Sequence, residues 1–318
     1  LNTLSNQVLI IQPLMTELDQ QLSAHYPCHR LYESAEQDDY LARHGDTITA
    51  IVTRGDAGVP RRVMECLPRL RVIAVFGVGT DKIDLAYAAS RGIQVSITRD
   101  ILTGDVADLA STLVLAFSRN LIGYHAFAKA GAWAWANASP PLSSSVSGKR
   151  VGIVGLGNIG NAIAERLSAF GMDVGYYAKS PKAGNYRYMD SLTDLALFSD
   201  YLVLALSGGP HNEGLIDETI LNALGSDGVL VNISRGSVVN EAHLIHALAT
   251  KAIKGAALDV FQHEPLIPDA LRGLDNVILT PHIGSATVET RNKMAANVLA
   301  NLNAYFNGGT VLSPADMK

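Results

Sequence analysis

Three observations predict an α/β fold built on parallel sheets for this chain of 318 residues. Short β-branched runs alternate with longer helical patterns through most of the sequence, as strands joined by crossover helices do. The length exceeds that of one ordinary domain, so two are expected. A glycine-rich turn, "VGIVGLGNIG" at 151–160, joins one apolar run directly to the helical segment "NAIAERLSAFG".

In chain order, "VLIIQP" (8–13), "ITAIVT" (48–53), "RVIAVFG" (71–77) and "IQVSI" (93–97) read as the strands of a first sheet. A second sheet follows from "RVGIVG" (150–155), "DVGYYA" (173–178), "YLVLAL" (201–206), "GVLVNI" (228–233), "GAALDV" (255–260) and "NVILT" (276–280). Helical patterns lie between them, among them "DVADLASTLVLAFSRNL" (105–121) and "NEAHLIHALATK" (240–251). The Pro/Ser-rich stretch "ASPPLSSSVSGKR" (138–150) has a linker's composition, but "TRDILTGDVADLA" (98–110) also crosses from the first sheet into a long helix. The boundary is placed near residue 101, with the Pro/Ser segment as a loop before the glycine turn. The last helical pattern, "TVETRNKMAANVLANLNAYFNGG" (287–309), follows the final strand and is expected to return to the first domain. The division is therefore 1–101 plus 288–318, and 102–287.

Composition narrows the function classes. Apolar residues make up 48% and charged residues 17%, a globular balance with ample core material. A net charge of −5 without a long basic run argues against nucleic acid as the main partner. Cys28 and Cys66 show neither disulfide-like nor metal-like spacing, so a reducing, cytoplasmic setting and no metal are expected. No apolar run approaches the roughly 20 residues that cross a bilayer, so no membrane partner is expected. The opening "LNTLSNQVLIIQPL" lacks a basic n-region and reads as a first buried strand; its start at Leu1 suggests a removed initiator segment or tag.

The glycine turn has the spacing that holds a dinucleotide. Gly155 permits the tight turn, Gly157 lets the backbone approach a pyrophosphate, and Gly160 allows helix and strand to pack closely. Helix N–H groups at that end would then face the phosphate charge. A purely structural turn is the bland alternative. About twenty residues on, an acid would hydrogen-bond the ribose 2′-hydroxyl of NAD. Ala178 stands there instead, followed by Lys179 and Ser180. Missing repulsion plus a cation and a hydroxyl favour a 2′-phosphate. NADP(H) is the expected cofactor, with NAD(H) possible; a solvated loop charge is the alternative for Lys179.

Three stretches put ionisable residues just beyond apolar strands, where open α/β sheets bind ligands. They are "VNISRGSVV" (231–239), "LDVFQHEP" (258–265) and "LTPHIGSAT" (279–287), carrying Arg235, Asp259 with Glu264, and His282. Singly, Arg235 reads as a cap, Glu264 as a loop charge and His282 as a buried imidazole. Together they supply a fork for a carboxylate, a proton donor for a carbonyl oxygen, and a carboxylate that orients the imidazole.

With "AVFGVGTDKIDLAYAASRGIQV" (74–95) and "DVADLA" (105–110), these motifs run in order over almost the whole chain. The sequence resembles the D-isomer-specific 2-hydroxyacid dehydrogenase family, and "YYAKS" with "PHIGSATVETR" resembles its NADPH-preferring glyoxylate/hydroxypyruvate reductase branch. The resemblance implies two Rossmann- or flavodoxin-like doubly wound domains, a discontinuous substrate domain, and an active site in the cleft between domains. It implies Arg235, Glu264 and His282 as the catalytic residues, and Val78 and Gly79 as backbone donors to the substrate carboxylate. Leu156 to Ile159 match the pyrophosphate turn, Ile233 and Asp259 flank the nicotinamide, and Gly284 joins the cofactor set. It further implies a homodimer, in which Trp133 or Trp135 of "AGAWAWA" either reaches the partner's pocket or packs in the dimer contact. Two departures stand out. Lys179 replaces a more usual arginine fork, and "TRDIL" (98–102) places Arg99 and Asp100 near the hinge.

The expected activity is NADPH-dependent reduction of glyoxylate or hydroxypyruvate to the D-2-hydroxy acid, with His282 as acid/base. The alternatives are a reductase for bulkier acids such as phenylpyruvate, an NAD-dependent D-lactate dehydrogenase, or a non-catalytic dinucleotide sensor.

Overall fold

The computed structural model describes residues 6–134 and 139–316. The chain divides into two compact units, Leu1–Leu102 with Thr287–Lys318, and Thr103–Ala286.

In the first unit, β1 (Gln7–Ile10), α1 (Thr16–His25), β2 (Cys28–Arg30), α2 (Gln37–His44) and β3 (Ile48–Arg54) precede α3 (Arg61–Glu65), β4 (Val72–Phe76), α4 (Leu85–Ser90) and β5 (Gln94–Ser96). The strands pair in parallel in the order β2-β1-β3-β4-β5. β3 and β4 lie inside the sheet and are buried almost throughout, as parallel strands covered on both faces must be.

The second unit begins with α5 (Thr103–Ser118) and α6 (Leu121–Lys129). It continues through β6 (Arg150–Val154), α7 (Asn158–Ala169), β7 (Asp173–Tyr177), β8 (Arg187–Tyr188), α8 (Leu192–Phe198) and β9 (Tyr201–Leu204). Then come α9 (Glu218–Leu224), β10 (Val229–Asn232), α10 (Glu241–Ala249), β11 (Gly255–Leu258), α11 (Asp269–Arg272) and β12 (Val277–Leu279). Its parallel sheet has the order β12-β11-β10-β9-β6-β7-β8. From β6 the chain first builds outward to β7, then returns to β9 on the other side. That reversal opens a crevice at the C-terminal ends of β6 and β9.

The final helix, α12 (Val288–Gly308), belongs to the first unit and packs against β4. The tail after it is tied to β5: Ile97 N–H donates to Ser313 O at 3.0 Å and Ala315 N–H to Val95 O at 2.8 Å. Fully buried Asn301 fixes the turn between them by accepting from the N–H groups of Leu312 and Ser313.

All ten sequence-predicted strands are present, most of them a residue or two shorter. β2 and β8 had no sequence signal. Each is a short edge strand of polar composition, "CHR" and "RY", held by pairing on one side only. The helix expected over 105–121 stops at Ser118, because Asn120 adopts a left-handed conformation (φ 47°, ψ 40°) and α6 starts afresh at Leu121. Asparagine is among the few residues that take this conformation readily.

Candidate active site

Parallel register carries the ends of β10, β11 and β12 to one level, with Asn232 opposite Leu258 and Leu258 opposite Leu279. The residues just beyond are Ile233, Asp259 and Thr280. The loops holding Arg235, Glu264 and His282 therefore leave the sheet side by side.

Asp259 organises the loop after β12. Its side chain is buried, in a residue only 1% exposed. One carboxylate oxygen accepts from the Thr280 hydroxyl at 2.7 Å and the Ile283 N–H at 2.8 Å; the other accepts from the Gly284 N–H at 2.9 Å. The Asp259 carbonyl also accepts from the His282 N–H at 2.8 Å. These bonds hold His282 at φ +53°, a strained conformation for a side chain of this size. Burial pushes the Asp259 carboxyl above its ordinary value, opposed by the Ile283 N–H, the Thr280 hydroxyl, the His282 charge and the Gly284 N–H.

His282 Nδ1 lies 2.7 Å from Glu264 Oε2. An ionised carboxylate only accepts, so Nδ1 carries the proton in this contact and Nε2 is the ring atom left for other chemistry. The other oxygen of Glu264, Oε1, accepts from the Phe261 N–H at 2.9 Å, which fixes the carboxylate's plane.

Arg235 follows β10 in extended backbone. Asn232, almost fully buried at the strand's last position, shapes this loop. Its amide donates to the Arg235 carbonyl at 2.9 Å, and its oxygen accepts from the Ser234 N–H and hydroxyl. Gly236 then lies so close to the next loop that a Cβ there would overlap the backbone of Phe261. The Arg235 loop thus abuts Phe261, Phe261 holds Glu264, and Glu264 holds His282. Sequence reasoning singled out the three charged ends of this chain but not Asn232, Gly236, Phe261 or Thr280. The available signal was a polar residue closing an apolar strand, as Asn232 and Thr280 do.

The glycine turn leaves β6 at the crevice. Gly155 has φ +95° and packs against Ala205 after β9; a Cβ on Gly160 would overlap the Gly155 carbonyl. Around Gly157 a Cβ would meet nothing within 4 Å, and Gly157 opens α7 without a side-chain cap. An open glycine before an uncapped helix fits a pyrophosphate. Leu156, Asn158 and Ile159 line this turn. Ala178 directly follows β7, with Lys179 and Ser180 exposed beyond it. Ile233, largely buried, follows β10.

Val78 and Gly79 belong to the first unit, in the half-buried turn after β4. Neither N–H donates to another described residue. Trp133 is 79% exposed after α6, and Trp135 lies outside the described residues. Among the described residues, no three side chains are grouped to hold a metal, and no single helix is long and apolar enough to cross a membrane.

A doubly wound unit with an open glycine turn, an imidazole–carboxylate pair and an arginine on the abutting loop has the parts of a nicotinamide-dependent oxidoreductase. Residues 111–284 match the family described as D-isomer specific 2-hydroxyacid dehydrogenase, NAD binding domain. A 2-ketogluconate reductase of Gluconobacter oxydans is 46% identical over 96% of this chain and 97% of its own. A hydroxyphenylpyruvate reductase of Plectranthus scutellarioides is 42% identical over 96% and 98%. The crystal structure of an NADPH-dependent glyoxylate/hydroxypyruvate reductase from Sinorhizobium meliloti, in complex with NADP and malonate, superposes with a TM-score of 0.91. It is 36% identical and covers 98% of this chain and 97% of that one. The chain belongs to the D-isomer-specific 2-hydroxyacid dehydrogenase family, and its cofactor is a nicotinamide dinucleotide.

The buried Asp259 makes a pH-dependent prediction. Its folded carboxyl is harder to ionise than the unfolded one, so its contribution to stability falls as pH rises from the ordinary value of 3.8 through the raised folded value. Asp259→Asn lacks that slope. In urea denaturation across this window, the stability difference between the two proteins should move in the variant's favour with rising pH, then level off. A difference constant with pH would contradict burial of the charged form.

Proposed function

We propose that this protein reduces a small 2-keto acid, glyoxylate or hydroxypyruvate, to the D-2-hydroxy acid with NADPH. The observation that carries this reading is the 2.7 Å contact between His282 and Glu264, the latter on a loop that abuts the Arg235 loop at Gly236. When bound, the nicotinamide supplies the hydride. Arg235 holds the substrate carboxylate through its planar fork. Val78 and Gly79 offer backbone N–H groups to the same carboxylate. His282 donates a proton from Nε2 to the carbonyl oxygen, and Glu264 stabilises the imidazolium and keeps the ring oriented.

The turn from Gly155 to Gly160 would hold the pyrophosphate, with Ile233, Asp259 and Gly284 around the nicotinamide. Lys179 and Ser180 would read the 2′-phosphate. Two features support NADPH: no acid follows β7 at Ala178, and Lys179 forms no ion pair among the described residues. The NADP-bound Sinorhizobium meliloti reductase supports the same choice by similarity.

The protein is further proposed to act as a cytoplasmic homodimer without nucleic-acid or membrane partners. Support for the dimer comes from α6, which buries none of its residues, from its exposed Leu121 and Ile122, and from fully exposed Leu142, which lines the same hollow as Ile122. Such an apolar patch marks an association surface. Trp133 and Trp135 are candidates to reach the partner's pocket.

Replacing His282 by Ala should cut kcat by roughly 10²–10⁴-fold, with the Kd for NADPH little changed. Steady-state rates together with a fluorescence titration of the cofactor check this; near-normal turnover would remove His282 from the chemistry. Lys179→Ala should lower the ratio of kcat/KM with NADPH to that with NADH by about tenfold, the worth of a charged hydrogen bond. An unchanged ratio would assign the cofactor preference elsewhere.

A further inference from the structure

The first unit carries a cationic cluster that the proposed reaction does not use. Arg54 ends β3, and Arg291 lies in the first turns of α12, which packs on β4. The Arg291 guanidinium carbon sits 5.4 Å from the centre of the Phe76 ring, at the last position of β4. Phe76 leads directly into Gly77, Val78 and Gly79. The turn after β3 abuts this one, because a Cβ on Gly55 would come within 3.3 Å of the Gly79 carbonyl.

Arg291 is half-buried, and its side chain makes no hydrogen bond or ion pair among the described residues. Burial lowers its pKa from the usual arginine value and the like charge of Arg54 lowers it further, while Asp56 acts the other way. Asp56 is already engaged, since Arg54 Nε donates to one of its oxygens at 2.9 Å and Arg54 also bonds the other. Lys82 donates to the Asp56 carbonyl at 2.7 Å. A half-buried guanidinium stacked on an aromatic ring, beside a second guanidinium that already holds the local carboxylate, is poorly compensated. An anion supplied from outside would complete it, and a planar carboxylate suits the guanidinium fork.

We propose that Arg291, with Arg54 and the Phe76–Gly79 turn, forms a subsite for a second carboxylate on the substrate, so that 2-keto dicarboxylates are accepted. This rests on the reading of Val78 and Gly79 as donors to the substrate's first carboxylate. The aromatic face of Phe76 holds the Arg291 fork in place, and the N–H groups of Val78 and Gly79, two and three residues further on, would take the other anionic end of one small molecule. A substrate with an uncharged tail leaves Arg291 uncompensated.

The test compares kcat/KM for oxaloacetate with that for glyoxylate, using NADPH, in the wild type, Arg291→Met and Arg291→Lys. Calorimetric titration of malonate into the same proteins gives a readout independent of turnover. In Arg291→Met the oxaloacetate-to-glyoxylate ratio should fall by about tenfold or more and the malonate Kd should rise similarly, as expected for loss of a charged hydrogen bond. Arg291→Lys should restore part of both. Circular dichroism establishes that each variant is folded, and the Lys variant carries the test if the Met variant is not. An unchanged ratio with unchanged malonate affinity overturns the subsite while the reductase reading stands. So does a wild type that reduces glyoxylate but neither reduces oxaloacetate nor binds malonate. If no 2-keto acid oxidises NADPH, the reductase reading falls and the malonate titration alone decides the subsite. The titration also decides if the two readouts disagree.

Discussion

The hydrogen bond between His282 Nδ1 and Glu264 is the contact on which the rest of the site depends. It joins loops that leave adjacent strands, so it forms only if β11 and β12 keep their register. Each partner is held from behind as well. The Phe261 N–H orients Glu264, and Asp259 gathers donors on both sides of His282 while itself buried. The imidazole is consequently fixed by its bond to Glu264, by the surrounding backbone and by strand register. That rigidity is what a proton donor needs when the carbonyl oxygen must be met at one place.

The strain at His282 fits the same logic. A positive φ at a non-glycine residue persists only where neighbouring bonds outweigh its cost. Here the His282 N–H bonds to the Asp259 carbonyl, and the next two N–H groups bond to the Asp259 carboxylate. Burying that carboxylate is itself unfavourable, which is why its pKa rises. The dehydrogenase unit thus places two locally unfavourable features together, where they hold each other and fix the ring.

Much of this was legible in the sequence, for identifiable reasons. Buried parallel strands such as "ITAIVT" and "GVLVNI" are continuous apolar runs, so their existence shows without knowledge of their partners. The glycine spacing announced the turn after β6, because Gly155 and Gly160 occupy backbone positions that exclude a side chain. Ionisable residues at strand ends marked Arg235, Glu264 and His282. Features set by long-range packing did not show. β2 and β8 have no apolar signature, and the break at Asn120 is one left-handed residue within a helical pattern. Gly236 reads as one glycine among 28, and its meaning emerges only from Phe261 on the neighbouring loop. Arg291 sits in a segment whose charge pattern resembles any helix face; only its place against Phe76 and Arg54 distinguishes it.

On the proposed reading, Arg235 and His282 hold the substrate's carboxylate and carbonyl oxygen while a nicotinamide bound at the glycine turn would offer hydride to one face only. Chiral chromatography of the product from hydroxypyruvate and NADPH tests it most directly. Hydride delivered to one face of a substrate held in this way should yield D-glycerate alone. A racemic or L-glycerate product would contradict the account.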